Sequence, residues 1–413
     1  MFSITFIDFV FLFYMFLGLY MSSLLLFIYI PNRKKLFLYP RGEFKPVSII
    51  VPCFNEGKTI GTTIESLLSL DYPKEMVEVI VVDDQSKDDS VKIARQYEKK
   101  YKNVRVFVNK RNSGGAAEPT NIGIRASKYE YVAVVDSDSM PDRDVLKKMI
   151  GFLQEDKKVA AVTCSVLVRN PKNFMQRLQA IEYDIIAWSR KLLDYIDGVY
   201  VTPGPFALYR KKSLIEVGLF DTKNMTQDIE IVWRLLAHDY KARMCLSARV
   251  YSEAPSKFKA WFKQRIRWTI GGTQTLVKYR NYFVKKGMLG VFIIPFFAIS
   301  LFLGLFGLGL FIYLFSRSLI VRYLSTKYSL YAQTAIFSFQ ELTLIPSVLN
   351  FFGAALFFLG LFFTFFGLRV MNPNKTYKGN IFNVIFYSLV YLTLQPIVLV
   401  FALSRYIRGK YSW

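Results

Sequence analysis

The chain is 413 residues long and 53% hydrophobic, with 38 Phe and 26 Tyr and a formal net charge of +23. So apolar a composition, gathered at the two ends, argues against a wholly soluble enzyme. One histidine leaves no room for a His-based metal site or a Ser-His pair, and three cysteines (Cys53, Cys164, Cys245) form no disulfide framework or metal-ligand spacing, as suits a reduced cytosolic domain.

Residues 4–30 are apolar except for Asp8, long enough to cross a hydrocarbon core of about 30 Å at about 1.5 Å per residue. The run is too long for a cleavable signal and no small-residue cleavage site follows. Arg33, Lys34 and Lys35 come next, which places that flank in the cytosol. A cytosolic domain is expected over residues 46–255, after an N-terminal span within 1–32.

That domain alternates strand and helix. Residues 47–54 are a continuous, β-branched apolar run, as expected of a strand buried on both faces. A helix is expected at 58–70, a strand at 77–82, a helix at 88–101, a strand at 104–108, a helix at 116–126, a strand at 131–135, a helix at 142–154 and a strand at 159–168. This βαβ series predicts an α/β, Rossmann-like domain with a mostly parallel sheet. Ligands bind such sheets outside the carboxyl ends of the strands, which singles out Asn55 and Glu56, Asp83 and Asp84, and Asp136 and Asp138. Carboxylates converging on one sheet edge repel one another unless cations compensate. Asp136-Ser137-Asp138 can offer oxygens to one hard cation, Mg2+ or Mn2+, although Asp also favours plain turns. Thr226-Gln227-Asp228 opens a helical run at 229–237, so Asp228 reads both as a cap and as a general base.

Residues 257–286 carry nine Lys or Arg and no acid, interleaved with aromatics, and the segment 256–287 is expected to form basic amphipathic helices in the membrane interface. Nucleic-acid binding is the competing reading, weakened because the segment runs on into an apolar span; no nucleic-acid partner is expected. Within it, Gln264-Arg265-Ile266-Arg267-Trp268 fits a snorkelling helix, or places Arg267 on a diphosphate and Trp268 against a sugar ring. Three further spans are expected within 288–413, at 288–315, 342–368 and 381–403. Four spans put both termini outside and the loop 369–380, with Lys375 and Lys378, inside, while Arg405, Arg408 and Lys410 of the tail lie outside, against the charge rule.

Taken in order, Val51-Pro52-Cys53-Phe54-Asn55-Glu56, Val82-Asp83-Asp84-Gln85-Ser86, Asp136-Ser137-Asp138, Thr226-Gln227-Asp228 and Gln264-Arg265-Ile266-Arg267-Trp268 resemble the family 2 inverting glycosyltransferases. More narrowly they are similar to the membrane synthases of hyaluronan, chitin oligomers, cellulose and poly-N-acetylglucosamine. The resemblance spans residues 47–276 and implies a glycosyltransferase-A type fold, a cell-membrane location with a cytosolic catalytic domain, and a metal-bound nucleotide sugar as donor. A UDP-sugar is the first choice, with GDP-mannose open. It implies that Pro52, Phe54, Asn55, Glu56, Asp84 and Asp136 bind the nucleotide, that Asp136 and Asp138 hold the metal, and that Asp228 is the base. Gln264, Arg267 and Trp268 would close over the diphosphate and the acceptor. Gln227 stands where the family usually has Glu, and Asn112-Ser113-Gly114-Gly115 lacks the lysine many relatives place after the glycine. The expected function is extension of a glycan or lipid-linked acceptor. The alternatives are single addition to a polyprenyl phosphate or glycolipid, and an inactive membrane scaffold. Four spans are few for a chain that forms its own polysaccharide channel, so an oligomer is a further expectation.

Overall fold

In a computed structural model the described residues are 5–333, 348–372 and 381–411. The first residues of the expected third span (342–347) and most of the expected inner loop, with Lys375 and Lys378, lie outside them.

Helix α1 (Phe6–Asn32) is apolar along its length and is capped by Thr5, whose hydroxyl accepts from the Asp8 N–H. Strand β1 (Val47–Cys53), helix α2 (Ile60–Leu68), strand β2 (Val77–Asp83), helix α3 (Ser90–Lys100), strand β3 (Val104–Val108), helix α4 (Ala117–Ala126) and strand β4 (Tyr131–Val134) follow. All residues of β1, β2 and β4 are buried; the runs are apolar but for Ser48, Glu78 and Asp83, and the Ser48 hydroxyl donates to the Glu78 carboxylate across the sheet. β1 pairs in parallel with β2, Val47 opposite Val77 and Cys53 opposite Asp83, and with β4, Val47 opposite Tyr131. In that register the carboxyl ends of β1, β2 and β4 come out at one edge, carrying Phe54–Glu56, Asp84 and Asp136–Asp138 with them.

The second half is less regular. Strand β5 (Met140–Pro141), helix α5 (Val145–Glu155), strand β6 (Val159–Val168), helix α6 (Phe174–Asp194), strand β7 (Ala207–Arg210), helix α7 (Lys211–Glu216), helix α8 (Gln227–Ala237), strand β8 (Lys241–Ser252) and helix α9 (Phe258–Tyr279) complete the domain. The sheet runs β3-β2-β1-β4-β7-β6-β8-β5. β7 joins β4 and β6 antiparallel, and β5 joins β8 antiparallel, while β6 and β8 are parallel. Four of seven strand pairs are therefore parallel, and strand direction reverses between β4 and β7, directly beside Asp136. β5 starts two residues after Asp138 and ties this strand end to β8.

Helix α10 (Ile294–Tyr331) continues a π-helical turn at Leu289–Ile293, giving a 43-residue rod whose apolar stretch is followed by a part carrying Arg317, Arg322 and Lys327, beyond the expected end at 315. Helix α11 (Val348–Met371) packs on α1 and α6, with Phe366 4.9 Å from Tyr29 and 5.8 Å from Trp188, centroid to centroid. The expected fourth span, 381–403, falls on a bent helix pair. Helix α12 (Ile381–Phe386), a π-helical turn (Tyr387–Tyr391) and helix α13 (Leu394–Ile407) bend by 40°. A π turn and Pro396 in the first turn of α13 are ordinary causes of such a bend. By length and composition the described residues hold three membrane-crossing helices, or four if the bent pair is one span. This is a membrane protein.

α9 is not a loose interfacial helix. Its Trp261, Ile266 and Ile270 are buried against Leu178 and Ile181 of α6 and Tyr387, Tyr391, Val398 and Ala402 of the bent pair. Inside that contact Arg265 pairs with Glu182, the Tyr391 hydroxyl donates to Glu182 Oε2 (2.8 Å), and Trp261 Nε1 donates to the Tyr391 hydroxyl (2.6 Å). The Arg265 guanidinium also stacks 4.1 Å from the Trp268 ring centre. The snorkelling reading of this arginine therefore fails, because Arg265 is a buried member of a network.

Candidate active site

Two adjoining cavities open at the strand-end edge. The first, of about 400 Å³, is lined by Pro52, Phe54, Glu56, Asp84, Asp136, Asp138 and Arg267 among others, and by the loop Asn112–Ala116. The second, of about 470 Å³, is lined by Asp136, Asp138, Asp228, Gln264, Arg267 and Trp268, with Arg190 and Tyr183 from α6 and Pro203–Pro205 before β7. Asp136, Asp138 and Arg267 stand in both linings and form the shared wall.

Each side chain is held by local chemistry. Asp84 directs its carboxylate at the loop, accepting from Asn109 Nδ2 (2.8 Å) and from the Ser113 N–H and hydroxyl (both 2.8 Å), so it shapes the cavity rim. Asn55 lines neither cavity. It sits at φ 56°, accepts from the Lys87 N–H (2.8 Å) and donates its own N–H to Ser86 Oγ, fastening the end of β1 to the end of β2. Glu56 accepts from Thr59 Oγ1 (2.7 Å) at the start of α2. Phe54 is largely exposed over the first cavity.

Gly204 explains how the loop before β7 reaches Asp136. A Cβ there would lie 2.6 Å from Asp136 Oδ1, and the Gly204 carbonyl accepts the Asp136 N–H (3.1 Å). Gly271 does the same for α9, since a Cβ would lie 2.1 Å from Thr226 Oγ1. That close approach brings the Arg267 turn of α9 against the first turn of α8, where Asp228 sits. Gly271→Ala should therefore cost about 1–3 kcal/mol through overpacking and lower turnover. Gly272→Ala, whose Cβ meets only Phe297 at 3.9 Å, should be tolerated. Thermal unfolding of the detergent-solubilised variants compares the two, and equal behaviour would count against this close approach.

Burial raises the Asp228 carboxyl above the ordinary range, while Arg267, the Ile229 N–H (3.1 Å to Oδ1) and Arg190 pull it back. Burial likewise raises Asp138, against a hydrogen bond from Ser139. Asp136 is pushed up to about 8, first by burial and then by the charges of Asp138 and Asp228. A carboxyl protonated more readily in the folded chain adds stability at low pH, and that stability is lost as pH rises from its ordinary value of 3.8 through about 8. The metal-free protein should show this downward slope in thermal midpoint, and Asp136→Asn should flatten it. An unchanged slope in the variant would assign it elsewhere.

Residues 45–271 match the family described as glycosyltransferase-like family 2, over half of the chain. The chain belongs to glycosyltransferase family 2. Among the transferase's curated relatives is a poly-beta-1,6-N-acetyl-D-glucosamine synthase of Staphylococcus epidermidis. It is 28% identical over 386 residues, covering 92% of this chain and 88% of the relative. One of the same name in Staphylococcus aureus is 30% identical over 237 residues, 57% of each chain. A solved mannosyltransferase from Pyrobaculum calidifontis, in complex with GDP-Man and Mn2+, is 17% identical. It aligns over 94% of this chain and 96% of its own with a TM-score of 0.56, and so shares the fold. The transferase thus has the glycosyltransferase-A type fold that the family resemblance implied, and is a membrane hexosyltransferase that uses a nucleotide sugar.

The geometry redistributes the expected residues. Gln264 and Trp268 line only the second cavity, beside Asp228, and only Arg267 of the three reaches both. Sequence reasoning missed α6, which supplies Tyr183 and Arg190. Its signal was the capping box of Asn173 and Gln176, both halves of which form. It also missed Gly204, which the Pro203-Gly204-Pro205 punctuation marked as a rigid turn.

Proposed function

We propose that the transferase is an inverting, metal-dependent N-acetylglucosaminyltransferase that lengthens a β-linked N-acetylglucosamine polymer from UDP-N-acetylglucosamine, with its catalytic domain on the cytosolic face. The observation that carries this reading is the wall shared by two cavities, with Asp228 in one of them only. The nucleotide belongs in the first cavity, against Phe54, Glu56 and Asp84, and the acceptor in the second. The name shared by the staphylococcal relatives, one aligned across most of both chains, supports the sugar. Arg33, Lys34 and Lys35 after α1 support the cytosolic side.

Asp136 and Asp138 fit a divalent ion. They give oxygen ligands of the kind Mg2+ and Mn2+ prefer, and Asp136, raised first by burial and then by the charges of Asp138 and Asp228, sits where a cation would be favoured. Among the described residues no group of three His, Cys, Asp or Glu side chains gathers for a metal; an ion held by these two carboxylates would take its remaining ligands from diphosphate oxygens and water. The solved mannosyltransferase's Mn2+ supports the same choice. When bound, the ion neutralises charge on the departing nucleoside diphosphate.

The rest is done by this chain's side chains. Arg267 faces both cavities and offsets the diphosphate charge as the C1–O bond breaks. Asp228 accepts the proton of the acceptor hydroxyl as its oxygen attacks C1 from the other face. The electron pair of the broken bond leaves on the diphosphate. One base and one displacement invert the anomeric centre.

Phe297, from membrane helix α10, also lines the second cavity, which favours a membrane-held acceptor such as a polyprenyl phosphate or glycolipid as the second reading. Purified transferase in detergent, given UDP-N-acetylglucosamine with Mg2+ or Mn2+, should release UDP and yield a β-linked polymer. A single-residue product on lipid would favour the second reading. Use of another nucleotide sugar in place of UDP-N-acetylglucosamine would overturn the donor assignment, and retained configuration would overturn the single displacement.

A further inference from the structure

The second cavity contains polar groups that the displacement leaves unused. Arg190, on α6, is only 6% exposed, and its Nε has no hydrogen-bond partner among the described residues. Gln227 Oε1 and Gln264 Oε1, in the same lining, are buried and equally without partners there. Burial works to discharge Arg190, and among the described residues Tyr200, Asp228 and Cys164 favour its charge through space. Burying a guanidinium in this way is unfavourable, and unmade hydrogen bonds in a cavity mark what its ligand must bring.

Those requirements are specific. Arg190 can only donate, so it needs an acceptor atom. Each glutamine has an amide oxygen that needs a donor, and an amide that rotates could present N–H instead, whereas the guanidinium has no such choice. A ligand offering an acceptor to Arg190 and a donor to a glutamine oxygen satisfies both. An acetamido group has that pair, a carbonyl oxygen and an N–H. An ammonium group has three donors and no acceptor, and would bring a second positive charge beside Arg190.

Resting on the activity proposed above, we propose that Arg190, with Gln227 and Gln264, reads the N-acetyl group of the acceptor's terminal sugar and rejects a terminus bearing a free amine. The transferase would then extend only fully acetylated ends, and removal of an end acetyl group would stop growth. Asp138 and Glu253 on the same cavity pull an ammonium inward, so the measured selectivity reports the balance that Arg190 sets.

The test uses the full chain in detergent, saturating UDP-N-acetylglucosamine, and two N-acetylglucosamine oligomers differing only in an acetylated or free-amine non-reducing end. Wild type should prefer the acetylated end by about 30-fold or more in kcat/KM, as expected of a site built to hydrogen-bond a group that the analogue lacks. Arg190→Gln should reduce that preference to about 3-fold or less, chiefly through acceptor KM, and Arg190→Lys, which keeps the donor and the charge, should fall between. Equal use of both ends by wild type overturns the inference, as does full preference in Arg190→Gln. If Arg190→Gln does not fold, the wild-type ratio and Arg190→Lys decide. Transfer to neither end by wild type overturns the underlying activity, and this inference with it.

Discussion

Asp228→Asn should lower turnover between about 10²- and 10⁴-fold while leaving affinity for the nucleotide sugar near that of wild type. Asparagine keeps the shape and can still accept from the Ile229 N–H, which now reaches Asp228 Oδ1 at 3.1 Å, so α8 should keep its first turn. What is lost is, among the described residues and apart from Glu253 just after β8, the one carboxylate that lines the second cavity without also lining the first. Because burial raises the Asp228 carboxyl, the acidic limb of the wild-type rate profile should lie above the ordinary carboxylate range, with activity rising as pH rises through it. The residual rate of the variant should lack that limb. Initial-rate assays over pH, with nucleotide affinity measured separately, check both points. A variant retaining a tenth of wild-type turnover would remove Asp228 from the role of base.

The second large effect is on stability. Glu182→Ala leaves the Arg265 guanidinium buried without its carboxylate, and breaking one side of a buried pair costs about 3–5 kcal/mol. It also takes away the acceptor of the Tyr391 hydroxyl. The thermal midpoint of the detergent-solubilised protein should drop by many degrees. Tyr391→Phe, which removes one hydroxyl and keeps the ion pair, should fall far less. Similar midpoints for wild type and Glu182→Ala would mean that this network contributes little.

The first half of the sheet was readable because each element is locally determined. β1, β2 and β4 are buried on both faces and largely apolar, and the acids at their carboxyl ends mark where buried strand gives way to open edge. β7 was not readable. It has four residues, and what makes it a strand is its pairing with β4 and β6 rather than any run of its own. The candidate site divides the same way. Asp136, Asp138, Asp228 and Arg267 carry a chemistry and a spacing that a sequence displays. Whether Asn55 faces a ligand or ties two strand ends together depends on a left-handed backbone turn that the pattern does not reveal. Arg190 looked like one of many basic residues in a strongly cationic chain. Only burial sets it apart, and that burial arises where α6 closes one side of the second cavity, facing Tyr200 and Asp228. The break in the last apolar segment falls at a π-helical turn just before Pro396, which hydropathy does not register.

That packing bears on how the enzyme can be handled. The family match ends at residue 271, which invites excision of a catalytic piece. Such a piece would part Trp261, Ile266 and Ile270 from the Tyr387, Tyr391 and Val398 surface that keeps them dry. The helix carrying Arg267 would then present a greasy stripe to water, and its arginine would lose a fixed bearing on the sugar donor. Working preparations should therefore retain the C-terminal helices and a lipid or detergent belt.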